Sequence, residues 1–194
     1  MPEGPISGSA NKGGMPVSAG REHLFLREDE LRLAQDLLFF GYRDFTRDAD
    51  VLLEQLGLGR AHHRVLHFVG RRPGLTVGEL LGILGITKQS LGRVLGALLE
   101  QGYVTQAPGR ADRRQRLLSL TESGRMLERQ LFDKQRDTVM RAYREAGPAA
   151  VDGFRRVMRG LMGAEARAQL DQLGGQPAAP GTAPAGGMAG GMRR

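Results

Sequence analysis

A chain of 194 residues with 40% hydrophobic content is long enough to bury one core, and its 29 glycines and 9 prolines point to unstructured ends. The absence of cysteine excludes disulfides, thiolate metal sites and sensing by thiol oxidation. The net charge of +7 lies entirely between Arg60 and Leu120, where ten basic residues stand against three acidic ones; such a localised field suits a polyanion, or is simply a solvated basic face.

Residues 1–20 are rich in Gly, Pro, Ser and Ala without periodicity and read as a disordered arm. Met1-Pro2-Glu3-Gly4-Pro5 lacks the basic and apolar regions of a secretory signal. No apolar run reaches the roughly 18 residues of a membrane span. A cytoplasmic protein without a membrane partner is the expectation.

From Arg27 to Phe45, Leu31, Ala34, Leu37, Leu38 and Phe45 recur at helical spacing, and Glu28, Asp29 and Glu30 suit the positive end of a helix. A short helical turn is expected over Asp48 to Gln55, before Gly57 and Gly59 break the chain. Phe39, Phe40, Tyr42 and Phe45 form either core or, with Phe39 and Tyr42 nearest, one wall of an effector pocket. The next helix spans about Arg60 to Val69 and is stopped by Gly70 and Pro73-Gly74. It carries His62, His63 and His67. The i, i+4 pair His63 and His67 shares a face and has the spacing of zinc ligands. No nearby Cys or carboxylate completes a site, so no metal is assigned; packing or a place beside an effector are the other readings.

Leu75 is an extended link. Thr76 and Glu79 have capping-box spacing and open a short helix to about Leu84. Gly85 makes a tight turn, and Thr87 caps a helix over Lys88 to Gln101 whose inward stripe is Leu91, Val94, Leu95, Leu98 and Leu99. Tyr103 to Gln106 and Gln115 to Leu120 read as two strands around the turn Pro108 to Asp112, a β-hairpin. Thr121 caps a long helix from Glu122 to about Glu145. Gly147-Pro148 separates it from a last helix with the stripe Val151, Phe154, Val157, Met158, Leu161 and Met162. Residues 174–194 read as a Gly/Ala/Pro tail.

Two short helices joined by a tight turn and followed by a two-stranded wing make a winged helix-turn-helix. The fold class is therefore mainly α with a small β-hairpin wing. The expected organisation is an arm (1–20), a dimerisation helix and linker (21–59), the winged helix-turn-helix (60–120), C-terminal dimerisation helices (121–173) and a tail (174–194).

Several stretches resemble the MarR family of transcription regulators: Pro73-Gly74-Leu75-Thr76-Val77-Gly78-Glu79-Leu80, Leu84 to Leu91, Leu99 to Val104, Asp112-Arg113-Arg114, and Leu118-Ser119-Leu120-Thr121-Glu122-Ser123-Gly124. The Asp-x-Arg of the hairpin followed by Leu-Thr-x-x-Gly is the most specific part, and the likeness covers about residues 28–172. Arg60 to Val69 together with Ile86 to Leu91 is similar to PetP-like members. The resemblance implies a homodimer with intertwined first and last helices, bound to double-stranded DNA and often relieved by a small ligand. It also implies that Arg114 enters the minor groove, with Asp112 holding it in place.

Lys88, Gln89, Ser90 and Arg93 open the recognition helix. A glutamine pairs bidentately with adenine and a lysine or arginine with guanine, although Lys88 serves equally as a phosphate contact. Thr87 is a cap whose amide faces a phosphate in the same arrangement. Arg110, Arg113 and Arg116 of the hairpin suit phosphates. With Asp112 and Arg114 they complete the expected DNA-binding set, and His63 and His67 complete the effector set begun by Phe39 and Tyr42. There is no GxSxG, P-loop, HExxH or paired-carboxylate motif, so neither an enzyme nor a cofactor is expected. A winged-helix module that binds an acidic protein is the alternative.

Overall fold

The computed structural model describes residues 26–109 and 112–174. The expected arm at 1–20, all but the first residue of the expected tail, and Arg110 lie outside the described residues. The chain divides into two compact units, one up to Arg47 and one from Asp48 onward.

Helix α1 (Glu28–Gln55) supplies the first unit as far as Arg47, and its last turns, from Asp48, belong to the second. Three acids in its first turn complement the helix dipole. The expected break between Phe45 and Asp48 is absent: α1 is one helix through Gln55. No glycine or proline interrupts residues 42–56, and the Thr46 hydroxyl satisfies itself by donating to the Arg43 carbonyl at 3.1 Å. The helix ends where Gly57 takes φ +67°. Its apolar residues in the first unit lie in the open, with Leu37, Phe39 and Phe40 at 65%, 73% and 57% exposure.

The second unit is built on α2 (Arg60–Arg71), β1 (Leu75–Thr76), α3 (Val77–Leu84), α4 (Lys88–Glu100), β2 (Val104–Pro108), β3 (Arg116–Leu120), α5 (Glu122–Leu161) and α6 (Ala164–Gln172). Its core gathers Ala49, Leu53 and Leu58 with Val65, Leu66 and Val69 of α2, Leu80 and Leu84 of α3, Leu91, Leu95 and Leu98 of α4, and Leu127 and Leu131 of α5. The stripe expected on α4 thus faces inward, with Val94 and Leu99 half-buried at its edges. Helix α2 passes through Gly70 to Arg71, because a lone glycine weakens a helix without ending it.

Leu75 is more than a link. It pairs with Leu118, so the hairpin becomes a three-stranded antiparallel sheet in the order β1-β3-β2. Along β2 and β3 the register runs from Val104 opposite Leu120 to Pro108 opposite Arg116. Leu118 and Leu120 point inward, as the alternation requires. Gly147, at φ +78° and ψ 168°, interrupts α5 just before Pro148, the position expected for a helix break. A separate α6 follows Gly163, which helical spacing alone does not distinguish from the preceding stripe.

Candidate nucleic-acid interface

The approach to α4 is tightly specified. Thr76 accepts the Glu79 amide at 3.1 Å while Glu79 accepts the Thr76 amide at 2.8 Å, completing the capping box of α3. The Thr76 amide and the Thr76 hydroxyl, both donating to it, hold the Glu79 carboxyl below the usual range, helped by the adjacent Arg72 guanidinium. Gly85 takes φ +60°, a left-handed cap that few side chains tolerate. Thr87 then caps α4: its hydroxyl oxygen accepts the Ser90 amide at 3.2 Å and its proton goes to the Ser90 hydroxyl at 2.9 Å.

The first two turns of α4 therefore carry Lys88, Gln89 and Arg93 outward, opposite the buried Leu91 and Leu95. None of the three side chains has a hydrogen bond or an ion pair within the described residues. Ser90 differs from its neighbours. It is half-buried and accepts from the cap, which leaves its proton and one lone pair for an outside partner.

The wing tip is closed by main-chain bonds from Gly109 to the Gln115 carbonyl (3.0 Å) and from Gln115 to the Asp112 carbonyl (3.1 Å). The Asp112 carboxylate accepts the main-chain amide of Arg114 at 2.9 Å. Asp112 thus holds Arg114 by its backbone, in an Asx-type turn, and leaves the guanidinium open. Arg113, Arg114 and Arg116 are exposed, and their guanidinium groups have no partner among the described residues. Arg110 lies outside them.

Sequence reasoning missed what fixes the wing to the rest. A Cβ at Gly124 would overlap the Tyr103 carbonyl oxygen, so only glycine fits there. Thr121 caps α5 by accepting the Gly124 amide at 3.0 Å and donates to the Gly102 carbonyl at 2.6 Å, where Ser123 also donates at 3.0 Å. The Leu-Thr-x-x-Gly motif is therefore the clamp between the end of α4, the hairpin and α5. Also unforeseen is Arg64, whose guanidinium donates to the Leu84 carbonyl at 2.8 Å.

The expected effector residues fall in two units. Phe39 and Tyr42 are exposed on α1 in the first. In the second, His63 and His67 are half-buried on α2, with the His67 ring edge-on to Phe68 at 5.1 Å. Burial lowers both imidazoles from their ordinary value; Asp50 opposes the shift at His63, and Arg71 and His63 reinforce it at His67. His62 serves α2 itself: its Nδ1 accepts the Gly59 amide at 3.0 Å. Among the described residues no cluster of three or more His, Cys, Asp or Glu is placed to hold a metal. A polar groove of about 480 Å³ lies between Asp48 and the α5 residues Asp133, Lys134, Asp137 and Arg141, and none of the four expected effector residues lines it.

A sequence-family model described as MarR family matches residues 56–115. The HTH-type transcriptional regulator PetP of Rhodobacter capsulatus is 49% identical over 154 residues, covering 79% of this chain and 93% of that protein. The chain belongs to the MarR family. As a MarR-type transcription regulator it is not an enzyme. Solved structures share the MarR fold at low identity. FabT of Streptococcus pneumoniae in complex with DNA matches with TM-score 0.61 at 17% identity, over 74% of this chain and all but 1% of that one, which is covered to 99%. A SlyA-like transcription regulator from Listeria monocytogenes matches with TM-score 0.58 at 16% identity, over 75% of this chain and 96% of the other. No helix among the described residues is long and apolar enough to cross a membrane.

Proposed function

We propose that this MarR-family regulator binds double-stranded DNA sequence-specifically as a homodimer, on a pseudopalindromic site. One observation carries the reading. Within the basic segment the four arginines of α2 and its end are all engaged: Arg60 by Asp50, Arg64 by Leu84, Arg71 by Leu173 and Arg72 by Glu79. Every described cation on α4 and the wing (Lys88, Arg93, Arg113, Arg114 and Arg116) makes no side-chain hydrogen bond or ion pair among the described residues. The chain spends its internal acids and carbonyls on one set and leaves the other for an outside polyanion.

In this reading Lys88, Gln89, Ser90 and Arg93 enter the major groove, with the Thr87 amide near a phosphate. Arg114 enters the minor groove, held by Asp112, and Arg110, Arg113 and Arg116 meet phosphates. Two recognition helices of a dimer would lie about 34–36 Å apart, in successive major grooves. The exposed apolar side chains of α1 and those of distal α5 (Phe154, Val157 and Leu161) supply the dimer surface, so residues 21–59 and 121–173 serve dimerisation around the 60–120 reader. Modulation by a small ligand belongs to the same reading, with half-buried His63 and His67 as polar groups it would meet; a thermal-shift ligand screen tests it.

Selection of bound duplexes from a random pool tests the reading as a whole. A two-fold symmetric consensus bound with steep salt dependence is the expected result. Recovery of no consensus, or binding indifferent to salt, refutes it.

A further inference from the structure

Arg64 stands on the second turn of α2 and is not among the α4 and wing side chains assigned to DNA, yet it bonds the element that leads into α4. Its Nη2 donates to the carbonyl of Leu84, the last residue of α3, at 2.8 Å in a part-buried bond. The final carbonyls of a helix have no partner within it, and they form its negative end. A guanidinium there makes a charge-assisted bond and is favoured by the dipole. Leu84 is followed by Gly85 at φ +60°, then Ile86, then Thr87, the cap of α4. Between Gly85 and Thr87 the described structure has no side-chain hydrogen bond to another element. The bond from Arg64 to Leu84 is thus the polar tie that fixes the position from which the turn, and hence the start of α4, departs.

We propose that Arg64 is a positioning residue for DNA recognition: by holding the end of α3 it sets where Lys88, Gln89 and Arg93 enter the groove, without itself meeting DNA. The inference rests on the DNA-binding reading and deepens it. Its signature is selective. Binding to an arbitrary duplex depends on phosphates, which tolerate small shifts of a helix, whereas base contacts depend on its placement. Loss of the tie therefore erodes the preference for the correct sequence and leaves general affinity in place.

The test uses the full chain and two duplexes of equal length: one selected from a random pool by the wild-type protein, and one scrambled. Arg64→Met keeps the aliphatic stem and removes the donors; Arg64→Lys keeps a single donor head. Binding is titrated by fluorescence anisotropy across a salt series, and urea unfolding is followed alongside. Arg64→Met is expected to weaken binding to the selected duplex about tenfold, the scale of one charge-assisted bond. Affinity for the scrambled duplex and the salt slope stay at wild-type values, and Arg64→Lys recovers part of the preference. Equal losses on both duplexes, with a salt slope lower by about one, mean a phosphate contact and overturn the proposal. So do equal losses that track the stability measured in urea, or no loss at all. If Arg64→Met fails to fold, the ratio for Arg64→Lys decides in the same way. If the wild-type protein selects no sequence, the DNA-binding reading itself fails, and the role of Arg64 falls with it.

Discussion

Arg114 shows how one side chain is prepared for work outside the chain. Its amide is tied to Asp112 at 2.9 Å while its guanidinium is unpaired. Arg114→Ala is expected to weaken binding to the selected duplex by about 1–3 kcal/mol, read by anisotropy, with the hairpin intact. Affinity equal to wild type would remove Arg114 from the interface. The residue types of this site were legible in the sequence because the Asp-x-Arg pattern and the Thr87 cap are local. The manner of the Asp112 contact was not, since an aspartate two residues before an arginine has both a main-chain and a side-chain target. Gly124 was legible as a motif position without its cause, which is the Tyr103 carbonyl brought to it by the fold. Gly124→Ala is therefore expected to cost at least about 1–3 kcal/mol in urea unfolding, as overpacked sites do. A variant as stable as wild type would show that the α4 to α5 junction yields.

Among the elements, α2 shows what periodicity delivers and what it omits. Its inward Val65 and Leu66 follow from spacing, whereas Phe68, expected inward with them, is only half-buried and Val69 is buried in its place. Its polar ties, Arg60 to Asp50 and Arg64 to Leu84, connect residues 10 and 20 apart and leave no trace in a linear pattern. The same limit hid β1, whose two residues are held by pairing with β3 across more than forty positions of chain. Helix α1 failed in the opposite sense: a change in apolar pattern after Phe45 reflects a change of surroundings, from exposed to core-facing, without a change of backbone. The histidines of α2 give this element a pH signature. Burial holds His63 and His67 below their ordinary value, so both are neutral in the folded chain at pH 7. Unfolding lets them protonate from about pH 6.5 downward. Their neutral state costs nothing above that pH, and the folded state loses stability as pH falls through 6.5 toward their lowered values. Urea unfolding at pH 7.5, 6.5 and 5.5, quoted as about one-unit steps around the free histidine value, is expected to show a decline that His63→Asn with His67→Asn reduces. An identical decline in the double variant would assign the slope to other groups.

For the molecule as a whole, the question is what covers α1. Leu31, Leu33, Leu37, Leu38, Phe39 and Phe40 are all at least 44% exposed, and they form a broad apolar face beside a charged sector of Asp29, Arg32, Asp36 and Arg43. An exposed apolar face of that breadth marks a surface that meets a partner. Distal α5 offers Phe154, Val157 and Leu161 in the same condition. In the proposed homodimer a second copy would supply the cover for each of these surfaces and would double the reading head. Leu37→Asp with Phe40→Asp places charge in that contact. Sedimentation equilibrium is expected to report a dimer for the wild-type chain and a monomer for the double variant. The monomer retains one half-site's worth of contacts, so its affinity for the selected duplex should fall by about 100-fold or more, the usual gain from joining two binding modules. Its salt slope should drop to roughly half, because half the phosphate contacts remain. A wild-type chain that sediments as a monomer, or a double variant that stays dimeric and binds undiminished, would show that the apolar surface of α1 serves something other than self-association.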